Sequence, residues 1–449
     1  MHFKISPELI DKIRLLVDAQ NDKELELYLR DFHYADVAEI LEELSLDHAT
    51  YIIKLLDTET TADVLMELNE ADREKILNNL SPKEIADELE EMDTDDAADI
   101  LAEFTLQEQE EIIANIEDEE HKADIQELLG YNEDTAGGLM AKELIKVRET
   151  WTVAGCLREM RRQAEYVTRV HSIYVVDKDD KLIGRFSLKN LLTADPKTKI
   201  SEIYIPRVDF VTVNTEGEEV AKIMQKYDLE ALPVVDEIGR LVGRITIDDI
   251  VDFIKDEAEK DYQLAAGISN DVEADDSILK LSKARLPWLV LGLFGGLGSV
   301  YIMQGFDAAL EHYPILFFFT PLIAAMAGNV GVQSSAIIVQ GLANDLVKGS
   351  IFKRLVKELT LSFFNGAVLA LLVFSFGFLV GQDINSSLAI AISLLTVIII
   401  AALVGTFVPL VLHKRGIDPA IATGPFITTS NDILGIFLFF YISKIILGF

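Results

Sequence analysis

The stretch Ile427-Thr428-Thr429-Ser430-Asn431-Asp432-Ile433 decides how this chain is read. It lies inside the last hydrophobic segment, with about a dozen mostly apolar residues before it and Phe437-Leu438-Phe439-Phe440 after it. A carboxylate at that depth in a bilayer costs several kcal/mol unless a cation or water meets it. No Lys or Arg lies nearby in the same segment. Among residues 284–449, Asp432 is the only acid that the pattern puts well inside a hydrophobic stretch. The segment therefore reads as a membrane span whose acid binds or passes a cation.

Outward from Asp432, five segments of spanning length follow Arg285, at roughly 286–306, 314–343, 359–381, 385–412 and 420–447. Lys280, Lys283 and Arg285 precede the first span, and Lys348, Lys353, Arg354 and Lys357 join the second to the third. Lys414 and Arg415 join the fourth to the fifth, whereas the connections at 307–313 and 382–385 hold no Lys or Arg. The positive-inside rule then puts the large N-terminal part in the cytoplasm and the C-terminus outside, with Lys444 snorkelling near the end. The expected location is the plasma membrane, as a multi-pass protein.

Three spans carry more than lipid-soluble residues. Gly292, Gly295, Gly296 and Gly298 in the first are expected to form a close-packing face. The second holds Pro321 and the polar run Gly328-Asn329-Val330-Gly331-Val332-Gln333-Ser334-Ser335, with Asn329 and Gln333 on one helix face. In the fifth, Pro425, Thr428, Thr429, Asp432 and Gly435 share a small polar face, and Pro425 is expected to free a carbonyl one turn earlier. The amides can be helix glue or can line a wet pathway. A pathway lined by Asn329, Gln333, Thr428, Thr429 and Asn431 around Asp432 accounts for all of them. Oxygen ligands without Cys or His suit a hard cation and leave magnesium, manganese and calcium open.

Charge is unevenly divided. Of the chain's 75 Asp+Glu and 40 Lys+Arg, residues 284–449 hold 7 and 8, so residues 1–283 hold 68 and 32, a net of −36. Such a part repels itself, has no affinity for nucleic acid or anionic lipid surfaces, and takes divalent cations as natural partners. The single cysteine, Cys156, excludes an intrachain disulfide and suits a reducing compartment. The first eight residues show no secretory leader pattern.

Residues 34–116 repeat. Ser45, Asp57, Asn69, Ser81, Asp93 and Thr105 recur every 12 residues, each a good N-cap residue preceded by an apolar one. Short capped helices in that phase predict an α-solenoid. From about 137 the pattern changes to Val/Ile-rich strands alternating with helices, and it duplicates with an offset of 59: Ile173–Asp177 matches Leu232–Asp236, and Leu182–Asn190 matches Leu241–Asp249. This duplication resembles a tandem pair of CBS domains. The resemblance implies that Ser187 and Asn190, and Thr246 and Asp249, are positions where such modules hold the phosphate and ribose of an adenine nucleotide such as ATP. An acidic helix with Asp249, Asp252, Asp256, Glu257, Glu259 and Asp261 leads on toward the first span.

Taken together, the parts resemble the MgtE-type magnesium transporter family over essentially the whole chain. The resemblance rests on Pro321 with Gly328-Asn329-x-Gly331-x-Gln333-Ser334, and on Asp418-Pro419-Ala420 followed by Pro425-Phe426 and Asp432. It implies a multidomain membrane protein: an acidic α-helical N domain (1–132), CBS domains at 133–200 and 201–256, a plug helix (257–283) and a five-helix all-α transmembrane domain (284–449). It further implies a homodimer with a magnesium-selective pore, Asp432 and Asp418 at its ion sites, and cytosolic magnesium sensors. The sensor ligands carried over are Asp63, Asp95 and Asp99 in the N domain, with Glu218, Asp228, Asp249, Asp252 and Glu257 beyond it. Lys260 departs from the expected acid, and Asp261 beside it is the substitute. Without the resemblance, each of these acids reads as a solvated surface charge. A broader Mn2+/Co2+ channel and a nucleotide-gated anion channel are the alternatives, although a carboxylate in mid-membrane repels an anion. No nucleophile–base pairing and no Gly-x-x-x-x-Gly-Lys-[Ser/Thr] loop suggests an enzyme.

Overall fold

The computed structural model describes residues 4–163, 169–269, 272, 274, 276–344, 346–347, 349–422 and 424–449. Lys348 of the basic connection and residues 1–3 of the N-terminus lie outside the described residues. The chain divides into two compact units between Lys255 and Asp256.

The N-terminal part is a run of short helices: α1 (Pro7–Asp18), α2 (Asp22–Leu29), α3 (Tyr34–Glu42), α4 (Leu46–Ile53), α5 (Thr58–Glu67), α6 (Glu70–Leu77), α7 (Pro82–Leu89), α8 (Thr94–Ala102), α9 (Leu106–Ile113) and α10 (Glu119–Leu128). All six residues of the 12-residue phase stand at N-caps. Five of them accept a backbone N–H with the side chain, and Ser81 with Glu84 and Thr105 with Glu108 close full capping boxes. Asp93 is the exception and makes no side-chain cap bond. Helices two apart pack together (α3 on α5, α5 on α7, α7 on α9), which is why the sequence repeats over 24 residues as well as 12.

The duplicated region forms two sheets. The first holds β1 (Ile145–Arg148), β2 (Ile173–Val176), β3 (Leu182–Phe186) and β4 (Ile205–Pro206), with α11 (Val153–Gln163) and α12 (Leu188–Thr193). The second holds β5 (Val211–Thr212), β6 (Ala231–Val235) and β7 (Leu241–Thr246), with α13 (Gly217–Tyr227) and α14 (Ile247–Ala266). Each sheet pairs its first two strands parallel and the next two antiparallel, and each carries a register irregularity at equivalent positions, Val175/Val176 and Val234/Val235. The duplication thus extends to a bulge. The chain leaving the N domain, counted with the first CBS domain in sequence, runs along the second sheet. Ala136 donates to Thr215 O, Gly137 to Val213 O, and Ala141 exchanges two bonds with Arg244. The N domain and the second CBS domain share one apolar core, which includes Ile125, Met140, Leu232 and Ile245. The first CBS domain keeps its own, around Val147, Phe186 and the buried Cys156.

Among the described residues, five helices are long and apolar enough to cross a membrane: α15 (Ile278–Gln304), α17 (Ile315–Ala343), α18 (Ile351–Leu379), α19 (Ile384–Lys414) and α20 (Gly424–Leu447). A short helix, α16 (Asp307–His312), occupies the connection after α15. α15 and α18 each begin eight residues earlier than the hydropathy suggests, because Lys280, Lys283 and Arg285, and Lys353, Arg354 and Lys357, ride on helical turns. Charge ends an apolar run without ending helical hydrogen bonding. α19 is the most buried and packs on α17, α18 and α20, while α15 packs on α20. Pro425 falls in the first turn of α20, where its missing N–H costs nothing, so the freed carbonyl expected of it does not arise.

Candidate ion sites in the membrane and the cytosolic unit

Glycines let the helices converge on the polar face of α20. A Cβ at Gly328 of α17 would lie 3.2 Å from Asp432 Oδ1 and 3.0 Å from Thr428 Cγ2. One at Gly331 would meet Asn431 Nδ2 at 1.9 Å, and one at Gly405 of α19 would meet Gly331 O at 2.3 Å. In α15 only Gly295 makes such an approach, 2.0 Å from Thr429 Cγ2. Gly292 and Gly296 meet nothing within 4 Å and Gly298 makes only ordinary contact, so the expected four-glycine face reduces to one position.

Asp432 is half-buried, and its Oδ1 has no hydrogen-bond partner among the described residues. Asn431 is 1% exposed, and neither end of its amide is paired among them. Its side chain lies at the α17–α20 crossing rather than on an open surface. Thr428 Oγ1 donates to Gly424 O at 3.0 Å, and Thr429 packs on Gly295. Asn329 and Gln333 share the exposed face of α17, one position round from the buried Gly328 and Gly331. Asp418 accepts the Ala420 N–H at 2.8 Å and so starts the turn that leads into α20. Sequence reasoning missed Glu358: because α18 starts early, this acid stands two turns inside the helix and accepts from Ser334 Oγ at 2.7 Å.

The end of α14 reaches this helix. A Cβ at Gly424 would lie 2.2 Å from Ala265 O, and one at Gly267 would lie 2.3 Å from Pro425 Cγ. Gly267 has φ +82, which L side chains rarely adopt. The last turn of the acidic helix therefore abuts the first turn of α20, two turns before Asp432.

In the N-terminal unit, carboxylates gather where α8 meets the second sheet. Ligand oxygens of Asp93, Asp95 and Glu143 all lie within 4.8 Å of one another. Burial, followed by neighbouring acids that include Asp249, pushes Asp96 up to about 8. Loss of hydration likewise raises Asp99 to about 7. Asp95, 7% exposed, is raised by the same causes, and Asp249 and Glu143 are raised chiefly by burial. A divalent ion among these oxygens would remove the repulsion that now favours protonation.

Of the acids expected from the sequence, the structure brings Asp95, Asp99 and Asp249 together. Asp63 stands exposed on α5, its carboxyl raised by partial loss of hydration and then by Glu59. Glu218 pairs with Lys222 at 3.0 Å, and Asp228 caps α13 in the left-handed conformation. Asp252 and Asp261 are exposed, and Glu257 accepts from Lys260 at 2.8 Å. Lys260 thus compensates an acid where the family pattern expects another. Asp93, Asp96 and Glu143 were not singled out. Asp93 reads as a plain cap, and nothing local marks Glu143.

The two CBS motifs differ in availability. Ser187 is exposed and Asn190 half-buried, and the two bond each other, Ser187 Oγ donating to Asn190 Oδ1 at 2.9 Å. Thr246 and Asp249 are turned inward: Asp249 Oδ2 accepts from Thr246 N at 3.0 Å and from Thr246 Oγ1, and it faces the α8 acids.

Comparison with known proteins finds matches to three kinds of family. Residues 320–442 match the family described as MgtE, divalent cation transporter, residues 32–134 match the MgtE intracellular N domain, and 136–197 and 200–256 match the CBS domain. The magnesium transporter MgtE of Thermus thermophilus is 36% identical over 329 residues, 73% of each chain. The Bacillus subtilis protein of the same name is 35% identical over 320 residues, 71% of each. A crystal structure of the cytosolic domain of the Mg2+ channel MgtE in complex with ATP superposes with a TM-score of 0.52 at 36% identity, covering 54% of this chain and 99% of that one.

Proposed function

The chain belongs to the MgtE family, and on that premise we propose that it carries Mg2+ inward across the plasma membrane, down its electrochemical gradient. The observation that carries this reading is Asp432: a half-buried carboxylate with an oxygen unpaired among the described residues, in a helix whose only basic residue is Lys444 in its last turn. A dication replaces the missing counter-charge, and Mg2+ can keep part of its water shell against amide and carbonyl oxygens. The exposed Asn329 and Gln333 face supports a pathway completed by a second protomer, and the basic residues at 280–285, 353–357 and 414–415 support a cytoplasmic N-terminus.

The acids support gating by the transported ion. With little cytosolic Mg2+, the carboxylates around Asp95, Asp99 and Asp249 repel one another. With more, ions bridge them, and α14 presses its end against the start of α20. Several ions acting together give a steep response. An adenine nucleotide fits the first CBS motif better, because Ser187 is exposed and Asn190 half-buried, while Thr246 and Asp249 are engaged elsewhere.

Mg2+ flux into proteoliposomes tests the pore. Asp432→Ala should abolish it, and undiminished flux refutes the assignment. Competing Mn2+, Co2+ and Ca2+ in the same assay set the selectivity. Neutralising Asp249, Asp252 and Glu257 together should remove closure by millimolar internal Mg2+, and retained closure refutes the gate.

A further inference from the structure

The duplicated CBS strands place an arginine at the same position in each copy, Arg185 in β3 and Arg244 in β7, 59 residues apart. Their surroundings differ. Arg185 is partly exposed and donates from Nη1 to Ser172 Oγ at 3.3 Å. Arg244 is 5% exposed. Its Nε donates to Glu143 O and its Nη2 to Asp93 Oδ2 at 3.4 Å, so the guanidinium bridges the N domain and the second CBS domain. Burying a guanidinium is costly unless a charged partner meets it, and here that partner is the Asp93 carboxylate from another domain, with the Glu143 backbone carbonyl as second acceptor.

The capping pattern shows how this bridge is made. Asp93 stands at the cap position of α8 but makes no cap bond. Glu143 serves instead, its Oε1 accepting the Thr94 N–H at 3.2 Å and its Oε2 the Thr94 hydroxyl at 3.0 Å. Thr94 Oγ1 in turn accepts the Lys142 N–H at 2.9 Å. A carboxylate from the far side of the joint thus relieves Asp93 of its local task and leaves it to Arg244. Among the six caps of the solenoid, this is the one that breaks the pattern, and it does so where α8 meets the sheet.

We propose that Arg244 is a tethered cation that positions the N domain on the second CBS domain and thereby sets how much Mg2+ closure requires. This rests on the gating reading above. A covalently held charge cannot dissociate, so it neutralises part of the acid cluster at every Mg2+ concentration, and free ions need supply only the remainder. Without it, one more partly buried carboxylate, Asp93, loses its tethered counter-charge, and more Mg2+ is needed to bring the joint together.

The test uses the full chain, with protease protection of the N-terminal unit and flux block read against Mg2+. Arg244→Gln and Arg244→Met should raise both Mg2+ midpoints about five-fold or more, while flux with internal Mg2+ chelated stays at the wild-type level. Arg244→Lys, which keeps the charge, should return toward the wild-type midpoint, and Arg185→Gln should leave it unchanged. A wild-type midpoint in the neutral variants overturns the proposal. So does a rise shared equally by Arg244→Lys, which would mark a packing role. Should the neutral variants not fold, hydrogen exchange on the unmodified chain decides: the start of α8 stays protected in EDTA if Arg244 holds it, and complete loss of protection overturns the proposal. If the wild-type chain shows no Mg2+ dependence at all, the gating reading itself fails. A wild-type response with unmoved variants sinks only the role of Arg244.

Discussion

Asp96 and Asp99 show at the residue scale what a crowded carboxylate does to stability. Loss of hydration holds the half-buried Asp96 at about 8, with Asp249, Asp93, Asp99 and Glu143 adding repulsion; it holds Asp99, whose surface is still exposed, at about 7, with Glu133 and Asp249 adding repulsion and Arg73 opposing it. Their folded values lie above the ordinary carboxylate value, so the folded state holds protons that the unfolded chain has released. Stability in EDTA should therefore rise as pH falls from 8 to 6, and be lost as pH rises through 7 and 8. Thermal melting of the full chain in EDTA at the three pH values checks the sign. Added Mg2+ should reverse the trend, because its ligands must be deprotonated. Asp95, Asp99 and Asp249 were legible through the family resemblance. Glu143 was not, because its partner Thr94 lies 49 residues away and only the folded chain brings the two together.

At the scale of elements, the 12-residue phase of caps was readable because capping is local: each capping side chain accepts from an N–H only three residues on. Ser81→Ala removes one arm of a capping box and should cost about 1 kcal/mol, measured as a shift in denaturant midpoint. Membrane packing was less legible, because a glycine's partner lies on another helix. Four glycines in α15 look alike in sequence, yet only Gly295 meets a neighbour closely. Gly331→Ala forces a methyl against Asn431 and should cost roughly 1–3 kcal/mol with loss of flux. Gly292→Ala meets nothing within 4 Å and should leave melting and flux unchanged. The starts of α15 and α18 were misread for a related reason, since hydropathy marks the limits of lipid and not those of a helix.

For the molecule as a whole, the division of charge decides behaviour. The part before the membrane helices, residues 1–283 with a net charge of −36, should swell when divalent ions are removed, and added NaCl should reverse part of the swelling by screening. Small-angle scattering in EDTA, with and without salt, reads this directly. The order of domains was legible from composition, repeat length and the 59-residue duplication. The shared core of the N domain and the second CBS domain was not, because it depends on where residues 136–141 run. One quiet feature makes such movements measurable. Cys156 is the chain's sole thiol and is buried in the first CBS core, where burial pushes its pKa up to about 11. At neutral pH it should stay unreactive toward maleimides and nitroxide reagents, which a thiol titration of the native chain checks. The natural chain is therefore already a silent background for spectroscopy, and label pairs placed at new cysteines can report distances without first engineering a thiol-free variant.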